Sequence, residues 1–258
     1  MNPELVALLG EDLAALGLSL DGAVQQRLLD FLDRVLKANE TMNLTAITDP
    51  KEAVRKHLID SLSVLLLKDL ALQAQAPCSW VDVGSGAGFP GLALACAVPQ
   101  ATLHLVESTG KKAHFLNITA AELGLIRRVQ VHGDRAEVLA ALPKAGAPGN
   151  LRETSDAVFF RGVARLASLV ELGAPFLKVG GLLIAYKGPK AGEELLEAGR
   201  AMAELKCTLV ERKDFVLPGI QEARSLICLK KTAATTKRYP RLTGLAQKEP
   251  LLEPNTKQ

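Results

Sequence analysis

An apolar run that ends in a glycine cluster constrains the fold of this chain more than any other feature; it reads Val81-Asp82-Val83-Gly84-Ser85-Gly86-Ala87-Gly88-Phe89-Pro90-Gly91. An apolar, helix-like run from Leu92 to Val98 follows it. This order indicates a strand, a tight turn and a helix, the opening unit of a nucleotide-binding α/β domain. Glycines in such a turn allow positive φ and a close approach of the backbone to a ligand. The sequence therefore predicts a cofactor site at the carboxyl end of this strand.

The glycine cluster fits two cofactors. Gly86-x-Gly88-x-x-Gly91, with Glu107 about 20 residues further on, matches the dinucleotide fingerprint. Asp82-x-Gly84-x-Gly86-x-Gly88 also resembles the first motif of S-adenosylmethionine-dependent methyltransferases. An acidic residue at the strand tip suits the cationic amino group of methionine and repels a pyrophosphate, and Pro90 removes a backbone donor that a phosphate would use. We favour S-adenosylmethionine, with an NAD-linked oxidoreductase as the alternative.

Strand-like and helix-like segments alternate after the glycine cluster. The predicted strands are Trp80–Val83, Thr102–Glu107, Val129–His132, Ala157–Arg161, Leu182–Lys187, Thr208–Val216 and Ser225–Lys230. The predicted helices are Lys111–Leu123, Arg135–Leu142, Leu166–Lys178 and Glu193–Leu205, and a loop rich in glycine and proline covers Pro143–Asn150. This alternation predicts an α/β fold with a mostly parallel seven-stranded sheet whose last strand is antiparallel.

Three regions differ in pattern. Residues 1–75 carry apolar stripes at helical spacing and predict an N-terminal helical cap, residues 76–231 form the predicted core, and residues 232–258 form a basic C-terminal tail. From Arg224 to the end there are 8 basic and 2 acidic residues, against 31 and 28 in the whole chain. We expect the end of the chain, from Lys237 onward, to be extended and mobile. A basic tail either touches nucleic acid or is a solvated end, and the sequence leaves both open.

Composition excludes several classes of protein. No apolar stretch reaches the roughly 18 residues that a membrane helix needs, and no secretory signal is seen at the N-terminus. The cysteines Cys78, Cys96, Cys207 and Cys228 are too widely spaced for a metal site, so we expect buried, reduced thiols. These features favour a cytoplasmic monomer with no metal and no membrane contact.

Further motifs extend the pattern over most of the chain. They are Met42-Asn43-Leu44-Thr45, His57-Leu58-Ile59-Asp60-Ser61, Glu107-Ser108-Thr109-Gly110-Lys111-Lys112, Arg135-Ala136-Glu137, Arg161-Gly162-Val163-Ala164, Lys187-Gly188 and Arg238-Tyr239-Pro240-Arg241. With the glycine cluster, they resemble the RsmG (GidB) family of bacterial 16S ribosomal RNA methyltransferases. That family usually has alanine where this chain has Gly162, and often serine where it has Phe160.

The resemblance implies a fold, a reaction and a partner. The fold is Rossmann-like, of the S-adenosylmethionine-dependent methyltransferase type, with an N-terminal helical cap. The reaction is transfer of a methyl group from S-adenosylmethionine to N7 of a guanine in the decoding-region loop of 16S rRNA, so the partner is the small ribosomal subunit. A non-catalytic RNA-binding or assembly protein that kept the fold is a second alternative.

Candidate site residues follow from the motifs together with the resemblance. The cofactor-binding candidates are Asp82, Gly84, Gly86, Phe89, Glu107, Ser108, Thr109, Ala136, Glu137 and Arg161, and the catalytic candidates are Arg161, Arg135 and Lys187. A carboxylate at the end of the second strand can accept both ribose hydroxyls, the role predicted for Glu107. Arg161 ends the fourth strand, where it can hold a phosphate or the guanine O6 edge, a structural salt bridge being the alternative.

The remaining candidates have less specific roles. Phe89 is either an apolar wall for the cofactor or a core aromatic residue, and Arg135 and Lys187 supply positive potential around the RNA. His57 and Asp60 share one helical face and are expected to hold the cap against the core without a catalytic role. Guanine N7 carries a lone pair and no proton, so the predicted reaction needs no general base.

Overall fold

The computed structural model describes residues 2–141 and 149–254, and within them seven strands form one sheet. The strands are β1 Cys78–Val83, β2 Ala101–Val106, β3 Val129–His132, β4 Ser155–Arg161, β5 Leu177–Lys187, β6 Cys207–Leu217 and β7 Glu222–Lys231. Their order across the sheet is β3-β2-β1-β4-β5-β7-β6. Strands β1 to β5 pair in parallel, and β7 is antiparallel to both β5 and β6. The predicted fold class and the reversed last strand are confirmed.

Helices cover both faces of the sheet and precede it in the chain. The α-helices are α1 Pro3–Ala15, α2 Gly22–Met42, α3 Pro50–Ala53, α4 Asp60–Leu62, α5 Lys68–Gln73, α6 Gly91–Ala97, α7 Gly110–Glu122, α8 Ala136–Leu139, α9 Leu166–Gly173, α10 Ala191–Glu197, α11 Gly199–Glu204 and α12 Leu245–Lys248. A π-helical turn, Val54–Ile59, joins α3 to α4, and 3₁₀ turns cover Ser63–Leu66 and Ala174–Phe176.

Short polar side chains set the starts of the N-terminal helices. Asn2 and Asp21 accept hydrogen bonds from the backbone N–H groups of Glu4 and Val24, and so cap α1 and α2. Asp49 does the same for α3, with Pro50 at the first helical position, where its missing N–H costs nothing. Asn43 ends α2 in the left-handed region, with φ 51°.

The N-terminal helices pack onto the sheet through one continuous apolar core. Leu9, Leu13 and Phe31 of the helices are fully buried in the same cluster as Trp80 of β1 and Leu92 of α6. A core shared in this way ties the position of the helices to that of the glycine cluster.

Two predicted boundaries were wrong for local reasons. The helix after β4 ends at Gly173 rather than Lys178, because Pro175 cannot continue the hydrogen-bond ladder, and β5 already begins at Leu177. The predicted helix Glu193–Leu205 is two helices separated at Ala198, next to Gly199, a residue with low helix propensity. The helix predicted to end at Leu142 already ends at Leu139, and the predicted loop over residues 143–150 lies mostly outside the described residues.

The expectation of an extended, mobile end to the chain was wrong for residues 237–254. Tyr239, Ala246 and Leu251 are buried against the α9 side of the sheet. Arg152 donates to the carbonyl oxygens of Tyr239, Thr235 and Thr236 at 2.8–3.2 Å. Burial of apolar side chains and the hydrogen bonds from Arg152 hold this segment in place. The charged sequence of the tail indicated neither.

The remaining composition-based expectations can be compared with the same ranges. Among residues 2–141 and 149–254, no helix has the length and apolar character needed to cross a membrane. All four cysteines are free thiols; Cys96, Cys207 and Cys228 are buried, and Cys78 is half-buried.

Candidate active site

A cleft opens at the carboxyl ends of β1 and β2. Its lining residues are Val83, Gly84, Val106, Glu107, Ser108, Asp134, Arg135, Ala136, Glu137, Val163, Leu172, Gly244 and Gln247. Open α/β sheets bind ligands at this edge, where neighbouring loops diverge. The structure thus brings six of the predicted site residues, Gly84, Glu107, Ser108, Arg135, Ala136 and Glu137, to one place.

Glu107 lies directly after β2, and its carboxylate joins two loops. Oε2 accepts from the backbone N–H of Gly86 at 3.0 Å, and Oε1 accepts from that of Thr109 at 2.7 Å. The side chain is buried and reaches the cleft. A carboxylate held on both oxygens by backbone donors is preorganised, and each oxygen keeps lone pairs for a ligand hydroxyl. Gly86 and Thr109 therefore orient Glu107 although neither lines the cleft.

Gly84 forms the floor of the cleft with its backbone. Its φ is +75°, and a Cβ built there would lie 2.9 Å from Cγ2 of Val163. A larger residue would be strained and would push into the loop that follows β4. Apolar side chains from Val106, Ala136 and Leu172 line the cleft as well. A backbone floor, apolar walls and one carboxylate fit a nucleoside with a ribose diol, so the residues present suit S-adenosylmethionine.

Asp82 lies beneath the glycine loop and does not line the cleft. Its Oδ2 accepts from the backbone N–H of Gly91 at 3.0 Å, whereas Oδ1 is buried without a hydrogen-bond partner within the described part of the chain. Burial raises the pKa of this carboxyl to about 6. Asp82 fastens the start of α6 to β1, and its predicted contact with the methionine amino group stays a prediction.

Arg161 lies at the end of β4, in contact with the helical cap. Nη1 donates to the carbonyl oxygen of Lys56 at 2.8 Å and to Oδ2 of Asp60 at 2.9 Å, and Nη2 donates to Nδ1 of His57 at 3.0 Å. Arg224 also approaches Asp60, with its Nε 3.3 Å from Oδ1. The expectation that His57 and Asp60 hold the cap against the core is confirmed. The salt bridge considered as the alternative for Arg161 is present, and its role toward substrate or cofactor stays a prediction.

Phe89 lies in the same contact between cap and core. Its ring stacks on His57 with centroids 4.6 Å apart, and it lies 4.8 Å from the ring of Phe31 in α2. The guanidinium carbon of Arg161 is 5.6 Å from the Phe89 centroid. Phe89 is buried and does not line the cleft. This placement matches the alternative in which Phe89 is a core aromatic residue. Contact between Phe89 and the cofactor stays a prediction.

The other two catalytic candidates have different surroundings. Arg135 is exposed and lines the cleft, as positive potential for RNA requires. The side chain of Lys187 is only 8% exposed instead, and its Nζ donates to Glu194 and to the carbonyl oxygen of Ala164, both at 2.7 Å. Glu194 also accepts from the backbone N–H of Leu166 at 2.7 Å. Lys187 thus fixes the loop after β4. Its positive charge is neutralised by the Glu194 carboxylate.

Several lining residues were missed from the sequence. Val163 follows Arg161 in a motif and could have been found by its position after β4. Gly244 and Gln247 lie far along the chain in the tail, and no local pattern marks them. Within residues 2–141 and 149–254, histidine, cysteine and acidic side chains form no group of three or more that could hold a metal ion.

Comparison with known proteins agrees with this geometry. The profile of the family described as "rRNA small subunit methyltransferase G" matches residues 24–223, more than half of the chain. The chain is 39% identical over 252 residues to the ribosomal RNA small subunit methyltransferase G of Lactobacillus johnsonii, covering 97% of this chain and 100% of that protein. It is 42% identical over 231 residues to the protein of the same name from Sorangium cellulosum, covering 89% of each.

Solved structures show the same fold at low identity. A Burkholderia thailandensis 1,6-didemethyltoxoflavin-N1-methyltransferase aligns with a TM-score of 0.50 at 12% identity, covering 83% of this chain and 92% of that one. The cyclase SpnF aligns with a TM-score of 0.52 at 15% identity, covering 82% and 97%. Since a cyclase shares it, the fold alone does not set the reaction. Sequence similarity, by contrast, identifies the family: this chain belongs to the rRNA small subunit methyltransferase G family.

Proposed function

We propose that the chain transfers the methyl group of S-adenosylmethionine to N7 of a guanine in the decoding-region loop of 16S rRNA. The observation that carries this proposal is the Glu107 carboxylate, held by two backbone donors beside the backbone floor at Gly84, in a member of a methyltransferase family. The same family membership argues against an NAD-linked oxidoreductase. The setting is the cytoplasm, and the acceptor is the small ribosomal subunit.

The chain's residues act by positioning. Glu107 accepts the ribose hydroxyls, while Val106, Ala136 and Leu172 enclose the base. When bound, S-adenosylmethionine supplies a methyl group whose bond to guanine N7 forms as its bond to sulfur breaks, the electron pair staying on sulfur. Because N7 carries a lone pair and no proton, the chain needs no general base. Alignment in a fixed site supplies most of the rate, worth up to about 7–11 kcal/mol in well-aligned cases.

Positive side chains around the cleft suit an RNA acceptor. Arg135 lines the cleft and is exposed, and Lys111 is exposed in the first turn of α7, three residues after Ser108. Cations so placed neutralise phosphates and position the nucleic acid without reading its sequence. Arg161, at the neighbouring strand end, is the residue proposed to meet the guanine or its phosphate.

The direct test is methyl transfer from radiolabelled S-adenosylmethionine to unmethylated small ribosomal subunits, with the label mapped by nuclease digestion. We expect label on guanine N7 in one 16S loop. Folded protein that binds the cofactor but transfers no label to RNA would contradict the proposal and favour the non-catalytic alternative.

The role of Arg161 can be separated from its salt bridge. We expect Arg161→Ala to lose transfer by about 10²–10³-fold, the range seen when one preorganised hydrogen-bond donor is removed from an active site, while S-adenosylhomocysteine still binds. Arg165→Ala is the matched control, because Arg165 lies in the same loop and its side chain is 65% exposed. If the loss only tracked unfolding and disappeared at low temperature, Arg161 would be a structural residue.

A further inference from the structure

The tail contributes a wall of the cleft although it lies outside the region that the family profile matches. That match ends at residue 223, whereas Gly244 and Gln247 both line the cleft. We propose that residues 242–247 belong to the cofactor site, with Gln247 contacting the bound nucleoside. This inference rests on the proposed placement of the cofactor in the cleft.

Gly244 is fastened to a residue of the cleft itself. Its backbone N–H donates to Oε1 of Glu137 at 2.7 Å, and its φ of +81° sets the turn that leads into α12. Glu137 is one of the predicted cofactor-binding residues and is buried. A hydrogen bond therefore joins the tail to the start of α8, the helix after β3, at the edge of the cleft.

A second set of contacts holds the tail in register on α9. Arg241 forms a two-pronged ion pair with Glu171, Nε to Oε1 at 2.8 Å and Nη2 to Oε2 at 2.6 Å, and Glu171 is 1% exposed. Ser168 donates to the carbonyl oxygen of Ala246 at 2.8 Å. These bonds hold residues 242–247 just before the segment, at Arg241, and within it, at Ala246. A buried bidentate pair is geometrically specific, so the segment has one defined position over the cleft.

Gln247 has the chemistry that a nucleoside edge requires. Its carboxamide offers both an acceptor and two donors, and the aliphatic stem adds apolar surface beside Leu172. The exocyclic amine of adenine can donate to the carboxamide oxygen while a ring nitrogen accepts from its NH₂ group, as in glutamine–adenine pairs in DNA recognition. Because residues 242–247 would gain contacts only when the cleft is filled, cofactor binding and tail docking should stabilise each other.

Calorimetric titration of the full chain with S-adenosylhomocysteine tests this without relying on turnover. We expect Gln247→Ala to weaken binding about tenfold, and Lys248→Ala, an exposed neighbour that does not line the cleft, to bind as the unchanged chain does. We also expect S-adenosylhomocysteine to slow trypsin cleavage after Lys248. Equal affinities for Gln247→Ala and the unchanged chain, with no protection, would overturn the proposal.

A third variant separates this proposal from the proposed function. If Glu107→Gln weakens binding while Gln247→Ala does not, the cofactor occupies the cleft without touching the tail, and only the tail proposal fails. If neither change affects binding, the cofactor lies elsewhere and both fail. Since Gln247 is exposed, its truncation leaves the fold intact, and a loss of affinity there reports contact.

Discussion

At the scale of single residues, His57 is held in one protonation state by its neighbours. Arg161 can only donate, so Nδ1 of His57 accepts and the ring proton lies on Nε2, which is 2.8 Å from Oγ1 of Thr45. Burial and the Arg161 charge lower the pKa of His57 to about 3. A protonated ring would place a second N–H against the guanidinium, so the network tolerates only neutral histidine.

We expect this network to lose stability in mild acid. The folded pKa of His57, about 3, lies below the unfolded value of 6.5, so the unfolded chain takes up a proton that the folded chain refuses, and stability falls as pH drops through 6.5 toward 3. Between pH 7.5 and 5.5 the unchanged chain should lose roughly 1 kcal/mol more unfolding free energy than His57→Asn. Urea unfolding at both pH values measures the difference. Equal losses would show that His57 titrates normally.

At the scale of secondary-structure elements, the strand, glycine loop and α6 are packed without spare room. A Cβ built on Gly91 would lie 2.3 Å from Cδ2 of Leu105 and 2.7 Å from Oδ2 of Asp82. Asp82 also accepts the Gly91 N–H, so a displaced helix start would break this bond as well. Gly91 is therefore required by close approach rather than by a positive φ.

Gly91→Ala should destabilise the chain by about 1–3 kcal/mol, the usual cost of overpacking, although alanine is the better helix former by up to about 1 kcal/mol. Gly110→Ala is the control: it also changes the first residue of a helix, and a Cβ built on Gly110 would have nothing within 4 Å. We expect the control to be neutral or slightly stabilising. Thermal and urea unfolding of both variants measure the two effects, and similar effects at the two positions would contradict the packing argument.

The sequence could predict the elements but not all of their contacts. The succession of strands and helices and the glycine loop followed from periodicity, turn chemistry and the family resemblance, and Glu107 could be placed because it follows β2 directly. The partners of Arg161 could not be predicted from its strand position, because His57 and Asp60 come from a distant segment of the chain. Gly244 and Gln247 reach the cleft through long-range contacts such as the Arg241–Glu171 pair, which joins residues 70 positions apart.

At the scale of the whole molecule, one buried cation joins the sheet to the tail. Lys231, at the end of β7, is 1% exposed, and its Nζ donates to Oε1 of Glu153 at 2.6 Å and to the carbonyl oxygens of Ala174 and Leu177. Oε1 of Glu153 also accepts from the backbone N–H of Thr235 at 2.8 Å. Burial lowers the pKa of Lys231, and the hydrogen bond and charge of the Glu153 carboxylate partly offset this shift.

Removing this cation should loosen the attachment of the tail. We expect Lys231→Met to cost about 2–4 kcal/mol of unfolding free energy, because Glu153 and two carbonyl oxygens lose their donor. Lys230→Met is the matched neighbour, since the Lys230 side chain is 44% exposed and 3.8 Å from Asp69, and it should change stability by less than about 1 kcal/mol. Chemical denaturation of the two variants compares them directly. Equal losses of unfolding free energy in the two variants would contradict the argument that the buried contacts of Lys231 stabilise the chain.

The sheet order has a consequence for biosynthesis. Strand β7 lies between β5 and β6, so the last strand of the described chain enters between two that are translated before it. Until Lys231 has been added, the nascent protein exposes the unpaired edge of β5, whose residues Leu182–Ala185 are buried in the finished sheet. Prematurely terminated or slowly translated chains should therefore be the forms that need a chaperone, since an open apolar edge invites aggregation.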